Sequence, residues 1–236
     1  MADETADMVD PGTGVAHRAL GELRLQEYGN GAPARILDPI VEPLWVGIRV
    51  LAAVSGQDVA IRDLDGEPVG GFDEIAKAIA IAVQSDEIVT EGFITKQATH
   101  SARPVVAWSD EMPSLGSFVG LRRNRALDAT KLKEEALAAS MFEPDDLLAF
   151  VATDLLWLDD TSLLDVPLLE RRRLLESVVQ ESDGVRLGAF VRPPIEHWVG
   201  SWRAQGFGGL TYKAANSRYL PGEKNPDWTI GGMPRR

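Results

Sequence analysis

The sequence predicts a single-domain α+β fold of antiparallel sheets flanked by helices, and three observations carry the prediction. Short β-rich runs are interspersed with stretches of helical spacing, Gly and Pro signals separate them, and neither a repeat nor a linker interrupts residues 36 to 230. A chain of 236 residues, 44% of them hydrophobic, can bury one sizeable core.

Residues 1 to 35 read as an acidic, loosely ordered lead-in. Asp3, Glu4, Asp7 and Asp10 open it, Pro11, Gly12, Gly14, Gly29, Gly31 and Pro33 punctuate it, and a short amphipathic piece, Ala16 to Tyr28, leans on the core. The β-rich run from Trp45 to Val54 ends at Ser55-Gly56-Gln57-Asp58 and is followed by Val59 to Arg62, the pattern of a hairpin. Apolar Phe72, Ile75, Ala76, Ile79, Ala80 and Val83 follow helical spacing between Gly70-Gly71 and Gln84-Ser85-Asp86. Strands are expected at Ile88 to Ile94 and Val105 to Trp108, and helices at Ser114 to Leu121 and Thr130 to Ser140, the second capped by Thr130. Leu147 to Leu158 reads as a long buried strand. Pro167 to Gln180 reads as a helix with Pro in its first turn, apolar Leu168, Leu169, Leu174, Leu175 and Val178, and a basic face at Arg171, Arg172 and Arg173. A strand follows at Val185 to Val191. The tail from Trp198, dense in Gly and aromatic residues, reads as short strands and tight turns.

Composition narrows the chemistry. With 24 Lys and Arg against 36 Asp and Glu, net −12 and a pI near 4.7, the average field repels phosphate backbones and anionic membranes. The absence of cysteine removes disulfides, thiolate clusters and cysteine nucleophiles, and His17, His100 and His197 are too few for a histidine-rich metal site. No window reaches the roughly 18 consecutive apolar residues of a spanning helix, and the acidic start is unlike a secretory signal. A cytoplasmic protein without a membrane segment is expected. Only six lysines occur, Lys77, Lys96, Lys131, Lys133, Lys213 and Lys224.

Three stretches together resemble the adenylation domain of bacterial ATP-dependent DNA ligases. Leu155-Leu156-Trp157-Leu158-Asp159-Asp160, leading into Pro167-Leu168-Leu169-Glu170-Arg171-Arg172, is similar to that family's Asp-Leu-Leu-x-Leu-Asp-Gly and Pro-Leu-x-Glu-Arg-Arg. Gly206-Phe207-Gly208-Gly209-Leu210-Thr211-Tyr212-Lys213, followed by Asn216 to Gly222, resembles Gly-Phe-Glu-Gly-Leu-x-x-Lys and Ser-x-Tyr-x-Pro-Gly. Glu42-Pro43-Leu44-Trp45-Val46-Gly47-Ile48-Arg49 falls in the place of Glu-x-Lys-x-Asp-Gly-x-Arg. The resemblance covers about residues 36 to 230. It implies the nucleotidyltransferase (ATP-grasp-like) fold of a ligase adenylation domain over residues 36–236, with no room for a C-terminal oligonucleotide-binding domain.

In that family the first-motif lysine takes AMP from ATP as a phosphoramidate, with metal ions. Here the position is Leu44, and a leucine has no lone pair to act as a nucleophile. The nearby aspartate is Val46, the Asp-Gly-Glu motif reads Glu91-Gly92-Phe93, the fourth-motif glutamate is Gly208, and the fifth-motif lysines are absent around Ile230. Arg49, Glu91 and Lys213 remain as a pocket remnant. The resemblance with these losses predicts a pseudoenzyme acting as an interaction or scaffold subunit, with no catalytic residue, no metal and no cofactor. The expected partner is another protein. Nucleotide binding is expected to be weak at most, and nucleic-acid binding unlikely on charge. Two alternatives stand beside it: a non-covalent binder of a nucleotide or small ligand, and a residual nucleic-acid end binder or ligase in DNA repair.

Other residues carry plainer readings. Lys77 is expected on a solvated helix face, Lys96 has a small chance of reaching the pocket, and Lys213 assists phosphates in the family without taking the nucleotide. Arg171, Arg172 and Arg173 are expected as a solvated face pairing with Glu170 and Glu176, with the same reading for Arg122, Arg123 and Arg125. Asp145-Asp146 and Asp159-Asp160 are expected as solvated turn residues. Leu44 and Phe93, if both point into the former nucleotide pocket, would line it with apolar bulk.

Overall fold

The structure, a computed structural model, describes residues 14–97, 142 and 146–234. The strand expected at 105–108, the helices at 114–121 and 130–140, Asp145 and the Arg122, Arg123, Arg125 cluster lie outside them. In chain order the elements are α1 (Val15–Glu22), β1 (Glu27–Gly29), β2 (Pro39–Pro43), β3 (Ile48–Ser55), β4 (Asp58–Arg62), α2 (Asp73–Ala82), β5 (Glu87–Lys96) and β6 (Leu148–Leu158). They continue with β7 (Thr161–Ser162), α3 (Leu168–Val178), β8 (Val185–Leu187), α4 (Glu196–Ala204), β9 (Gly209–Ala214) and β10 (Lys224–Gly232).

The larger sheet runs β4-β3-β5-β6-β7, antiparallel throughout, with β8 added parallel on β6. Its hairpin turns at Gly56, where φ is +60°, a conformation that glycine reaches without steric cost. Strand alternation then divides the side chains between two faces. On one face Val50, Ala52, Val54, Ile88, Ile94, Phe150 and Ala152 pack with Ile75 and Ile79 of α2 and Leu175 of α3. On the other, Leu51, Ala53 and Val89 pack with Ala16 and Leu20 of α1 and with Trp228. Gly92 has no room for a side chain: a Cβ there would fall on the Phe150 ring and 2.5 Å from the Val151 carbonyl oxygen.

The smaller sheet, β1-β10-β9-β2, covers that second face; β1 pairs parallel with β10, and the other pairs are antiparallel. A third apolar cluster, Val41, Trp45, Phe93, Val151, Trp202, Phe207 and Leu210, closes one end of the space between the sheets. Trp202 comes from α4, and this corrects the reading of the tail. The stretch after Trp198 begins as a helix that buries Val199 and Trp202, and only then continues as β9 and β10. The tryptophans at 198 and 202 stand one turn apart and their rings lie 6.2 Å apart, the i, i+4 relation of a helix face.

A strict alternation along β6 would send Val151 and Thr153 to one face and Asp154 into the helix-covered apolar core. The register shifts between Glu91 and Gly92, so that Gly92 pairs with Ala152 and Glu91 with Asp154. This bulge adds one residue and turns Asp154 to the side of Glu91. The third helix completes the arrangement by running past β6. Leu168 packs between the sheets, while Leu175 reaches the opposite core.

Candidate functional site

Between the two apolar clusters on the shared face lies a layer of buried charge. Arg49, Glu91, Asp154, Arg171, Arg172, Glu42 and Lys213 are all buried, Glu91, Asp154 and Arg171 at 0% exposure. Arg49 and Glu91 stand on neighbouring strands of the larger sheet, two residues off direct register, within reach of long side chains. Arg49 donates from Nε (2.9 Å) and Nη2 (2.8 Å) to Glu91 Oε1 and from Nη1 to the Gln26 carbonyl (2.7 Å). The Tyr219 hydroxyl donates to Glu91 Oε2 at 2.8 Å.

Asp154 is held by Arg171, which donates from Nε to Oδ1 (2.9 Å) and from Nη2 to Oδ2 (2.7 Å), the bidentate geometry of a strong pair. Arg172 donates to the carbonyls of Thr153 and Gly188 and lies 3.7 Å from Glu42 Oε1. Lys213 on β9 bonds Glu42 Oε2 on β2 at 2.6 Å, and the Thr211 hydroxyl donates to the same oxygen at 3.3 Å. Each cation also leans on a ring: Arg49 on Tyr28, Arg171 on Tyr219, Arg172 on Phe190 and Lys213 on Trp228.

Burial and partners set the protonation. Burial alone would lower the Lys213 ammonium, but Glu42 holds it above the ordinary lysine value. Burial lifts the Tyr219 phenol well above its usual range, and the adjacent Glu91 lifts it further. Two groups in the layer remain without a hydrogen-bond partner although fully enclosed, Glu42 Oε1 and Arg172 Nε. Such atoms are uncommon in a folded interior, because each keeps the cost of leaving water.

Several expectations find their place here. The remnant residues Arg49, Glu91 and Lys213 do come together in one layer. The solvated reading of Arg171 and Arg172 is corrected: both are buried and ion-paired, and only Arg173 lies in solvent with Glu170, at 3.1 Å. Lys77 pairs with Glu74 in solvent, as expected of an exposed helix face. Lys96 pairs with Asp146 and follows the strand parity of Ile88 and Ile94, which point into the helix-covered core rather than between the sheets. Asp159 sits in a turn with φ +48°.

Phe93 belongs to the aromatic cluster with Trp45 and Phe207, whose rings meet edge-on at 5.1 Å. Leu44 is half-buried against Gly209, to whose carbonyl its N–H donates at 2.9 Å. The Val46 carbonyl accepts from Thr95 Oγ1 (2.8 Å), the Gly208 carbonyl accepts from Met233 N–H, and Ile230 is partly exposed opposite Thr211. Two surface depressions of about 450 and 380 Å³ lie near Arg35 and Lys224, and near Asp38 and Arg192, and neither includes a residue of the layer.

Two β-sheets facing each other across a buried polar layer, with helices outside, are the nucleotidyltransferase fold in the form of a DNA-ligase adenylation domain. Residues 119–229 match the model of the ATP dependent DNA ligase domain, and the chain is similar in sequence to DNA ligases. It is 24% identical over 186 residues to DNA ligase C1 of Mycolicibacterium smegmatis, covering 78% of this chain and 48% of that protein. It is 26% identical over 196 residues to the multifunctional non-homologous end joining protein LigD of the same organism, covering 79% of this chain and 20% of LigD. The chain therefore spans about half the length of the first of these relatives and a fifth of the second.

In fold it resembles the ligase domain of M. tuberculosis LigD, with a TM-score of 0.60 at 19% identity over 90% of this chain and 60% of that one. It also resembles mycobacterial DNA ligase D complexed with ATP and MES, with a TM-score of 0.58 at 20% identity over 89% and 60%. These findings overturn the expectation of a chain that is not an enzyme: the homologues and the structural neighbours alike are DNA ligases, which are enzymes. That expectation rested on the joint loss at Leu44, Val46, Phe93, Gly208 and Ile230, read as the loss of all activity. No helix among the described residues is long and apolar enough to cross a membrane.

Proposed function

We propose that the chain handles adenine nucleotide for the joining of DNA ends, binding it between the two sheets beside Glu42, Lys213 and Arg49. The observation that supports this reading is the Glu42 Oε1 atom, a buried carboxylate oxygen with no donor, set between Lys213 and Arg172. A ligand that supplies an amino or hydroxyl donor there removes the penalty of an unmade hydrogen bond, of about 1–3 kcal/mol or more for a charged group. The exocyclic amine of adenine is such a donor, whereas guanine presents a carbonyl oxygen at the equivalent ring position.

Calorimetry and thermal unfolding with AMP, ATP and GMP test the reading. Adenine nucleotides raise the unfolding temperature, with stabilisation growing as RT ln(1 + [L]/Kd), and GMP does so more weakly. Silence to AMP and ATP alike at millimolar concentration rejects it. Incubation with labelled ATP, Mg²⁺ and nicked duplex, followed by mass mapping of any adenylated side chain, reads the chemical step directly.

A further inference from the structure

The two surface depressions are close in size and differ in charge. In the one of about 380 Å³ the cations are answered where they stand, Arg192 by Asp38 at 2.9 Å and Arg173 by Glu170 at 3.1 Å, and all four residues line it. The one of about 450 Å³ is lined by the loop from Gly29 to Gly31, by Arg35 and Ile36, and by Lys224 and Pro226, two cations and no acid. Arg35 ends a short 3-10 turn, Pro33–Arg35; it is exposed and makes neither a hydrogen bond nor an ion pair with any described residue. Lys224 has only Glu27, 3.6 Å away with both side chains more than a third exposed, a pair of little strength. On a chain of net −12, two cations lining one hollow reverse the field locally.

The backbone shapes the hollow. Glu27 and Tyr28 of β1 pair with Lys224 and Asn225 of β10, but Gly29 pairs with Thr229, so that one step of β1 passes three residues of β10. Such an irregularity bends a sheet edge and re-aims what flanks it, and Pro226, one of the residues passed over, becomes a wall. Gly29 has no room for a side chain, because a Cβ would lie 2.6 Å from the Asn225 carbonyl oxygen. At Gly31 a Cβ would meet nothing closer than 4.0 Å. There the Thr229 hydroxyl fixes the loop by donating to the Gly31 carbonyl at 2.5 Å, and the bare backbone is open to close approach by a ligand. A fixed loop, an apolar wall of Ile36 and Pro226, and two cations from separate elements converge on one space, the pattern of few polar groups on an apolar lining that small-ligand sites show.

We propose that this depression binds a phosphate ester, carried on a nucleic-acid backbone or on a free sugar phosphate. A guanidinium and an ammonium together match the charge of a phosphate, the guanidinium through two parallel hydrogen bonds, and the apolar wall receives the attached sugar. The balanced charges of the smaller depression give it no such preference. No residue of the buried layer lines this site, so it stands apart from the nucleotide reading above, and either can fail without the other.

Amide NMR shifts of the full chain, titrated with ribose 5-phosphate, ribose and an oligothymidylate, test the proposal. The phosphorylated ligands are expected to shift the amides of Asn30 and Gly31, and ribose to leave them in place. Arg35→Glu is expected to weaken that binding by roughly tenfold or more, the worth of one hydrogen bond to a charged group. Arg192→Glu changes the net charge equally and stays within twofold of wild type; both arginines are exposed, so neither change disturbs the core. For the oligonucleotide, anisotropy over a salt series shows Arg35→Glu lowering the slope of log K against log salt by about 0.7, one phosphate contact on a single strand. Binding that depends on Arg35 supports the site with either ligand: with the oligonucleotide alone its source is a strand, with ribose 5-phosphate alone a free sugar phosphate. Amides that both phosphorylated ligands leave unmoved, shifts that ribose reproduces, or equal effects of Arg35→Glu and Arg192→Glu overturn it.

Discussion

Replacing Asp154 by Asn tests whether a buried ion pair holds α3 against the larger sheet. Arg171 and Asp154 are both fully enclosed and joined by two hydrogen bonds of 2.9 and 2.7 Å. The amide keeps the shape of the carboxylate but removes its charge and turns an NH₂ group toward the guanidinium, leaving Arg171 without its charged partner. Breaking a buried pair by removing one partner costs about 3–5 kcal/mol. Arg171 keeps the carbonyls of Val166 (2.6 Å) and Ser217 (3.2 Å), so the lower end, about 3 kcal/mol, is expected. With a urea m-value of about 2–3 kcal/mol/M, the unfolding midpoint falls by about 1–1.5 M. The exposed neighbour supplies the control, since Arg173→Ala changes stability by less than about 0.5 kcal/mol. The double replacement Arg171→Met with Asp154→Leu removes both charges and recovers at least about 1 kcal/mol relative to Asp154→Asn. An Asp154→Asn midpoint within about 0.3 M of wild type would refute the reasoning, because a pair that matters so little cannot be holding α3 in place.

Two further outcomes follow from the same packing. Gly92→Ala places a methyl group on the Phe150 ring and against the Val151 carbonyl at the β5–β6 contact; a loss of about 2–3 kcal/mol by chemical denaturation is expected, and a neutral result means that the two strands can part there. Alkaline pH weakens the fold, because Tyr219, Tyr28 and Lys213 all have raised values and keep their protons where the unfolded chain has lost them. The unfolded state then binds fewer protons, so their contribution is whole below about pH 10 and declines as pH rises further. A urea midpoint that stays level from pH 9 to 11.5 contradicts this.

The strands and helices of the larger sheet were legible because their signals are local. Gly56 marks the hairpin, the apolar spacing from Phe72 to Val83 contains α2, and the uninterrupted apolar run after Leu147 gives β6, which is buried on both faces. The helix at Glu196–Ala204 was not read, because Gly200 within it and Gly206 just after it weigh toward turns. Its i, i+4 tryptophans were the competing signal, and packing of Trp202 into the third cluster decides in favour of the helix. The bulge in β6 leaves no mark in the sequence at all. It exists because Asp154 needs a cation, and the cation comes from a helix that begins 14 residues later.

The same distance explains why the site was half visible. Arg49, Glu91 and Lys213 stand out because motif positions carry them, but Arg171 and Arg172 lie in a run of three arginines that reads as solvent-facing. The helical phase says otherwise: Leu168, Arg171, Arg172 and Leu175 occupy i, i+3, i+4 and i+7, and all four are buried. Arg173 and Glu170 fall off that stripe and remain in solvent. Charge type suggested an exposed face, while phase placed two of the three arginines inside, and phase prevailed because Asp154 and Glu42 wait there from other strands. An arginine on the apolar stripe of an amphipathic helix therefore points to a carboxylate elsewhere in the chain. In this fold those carboxylates are Asp154 of β6 for Arg171 and Glu42 of β2 for Arg172.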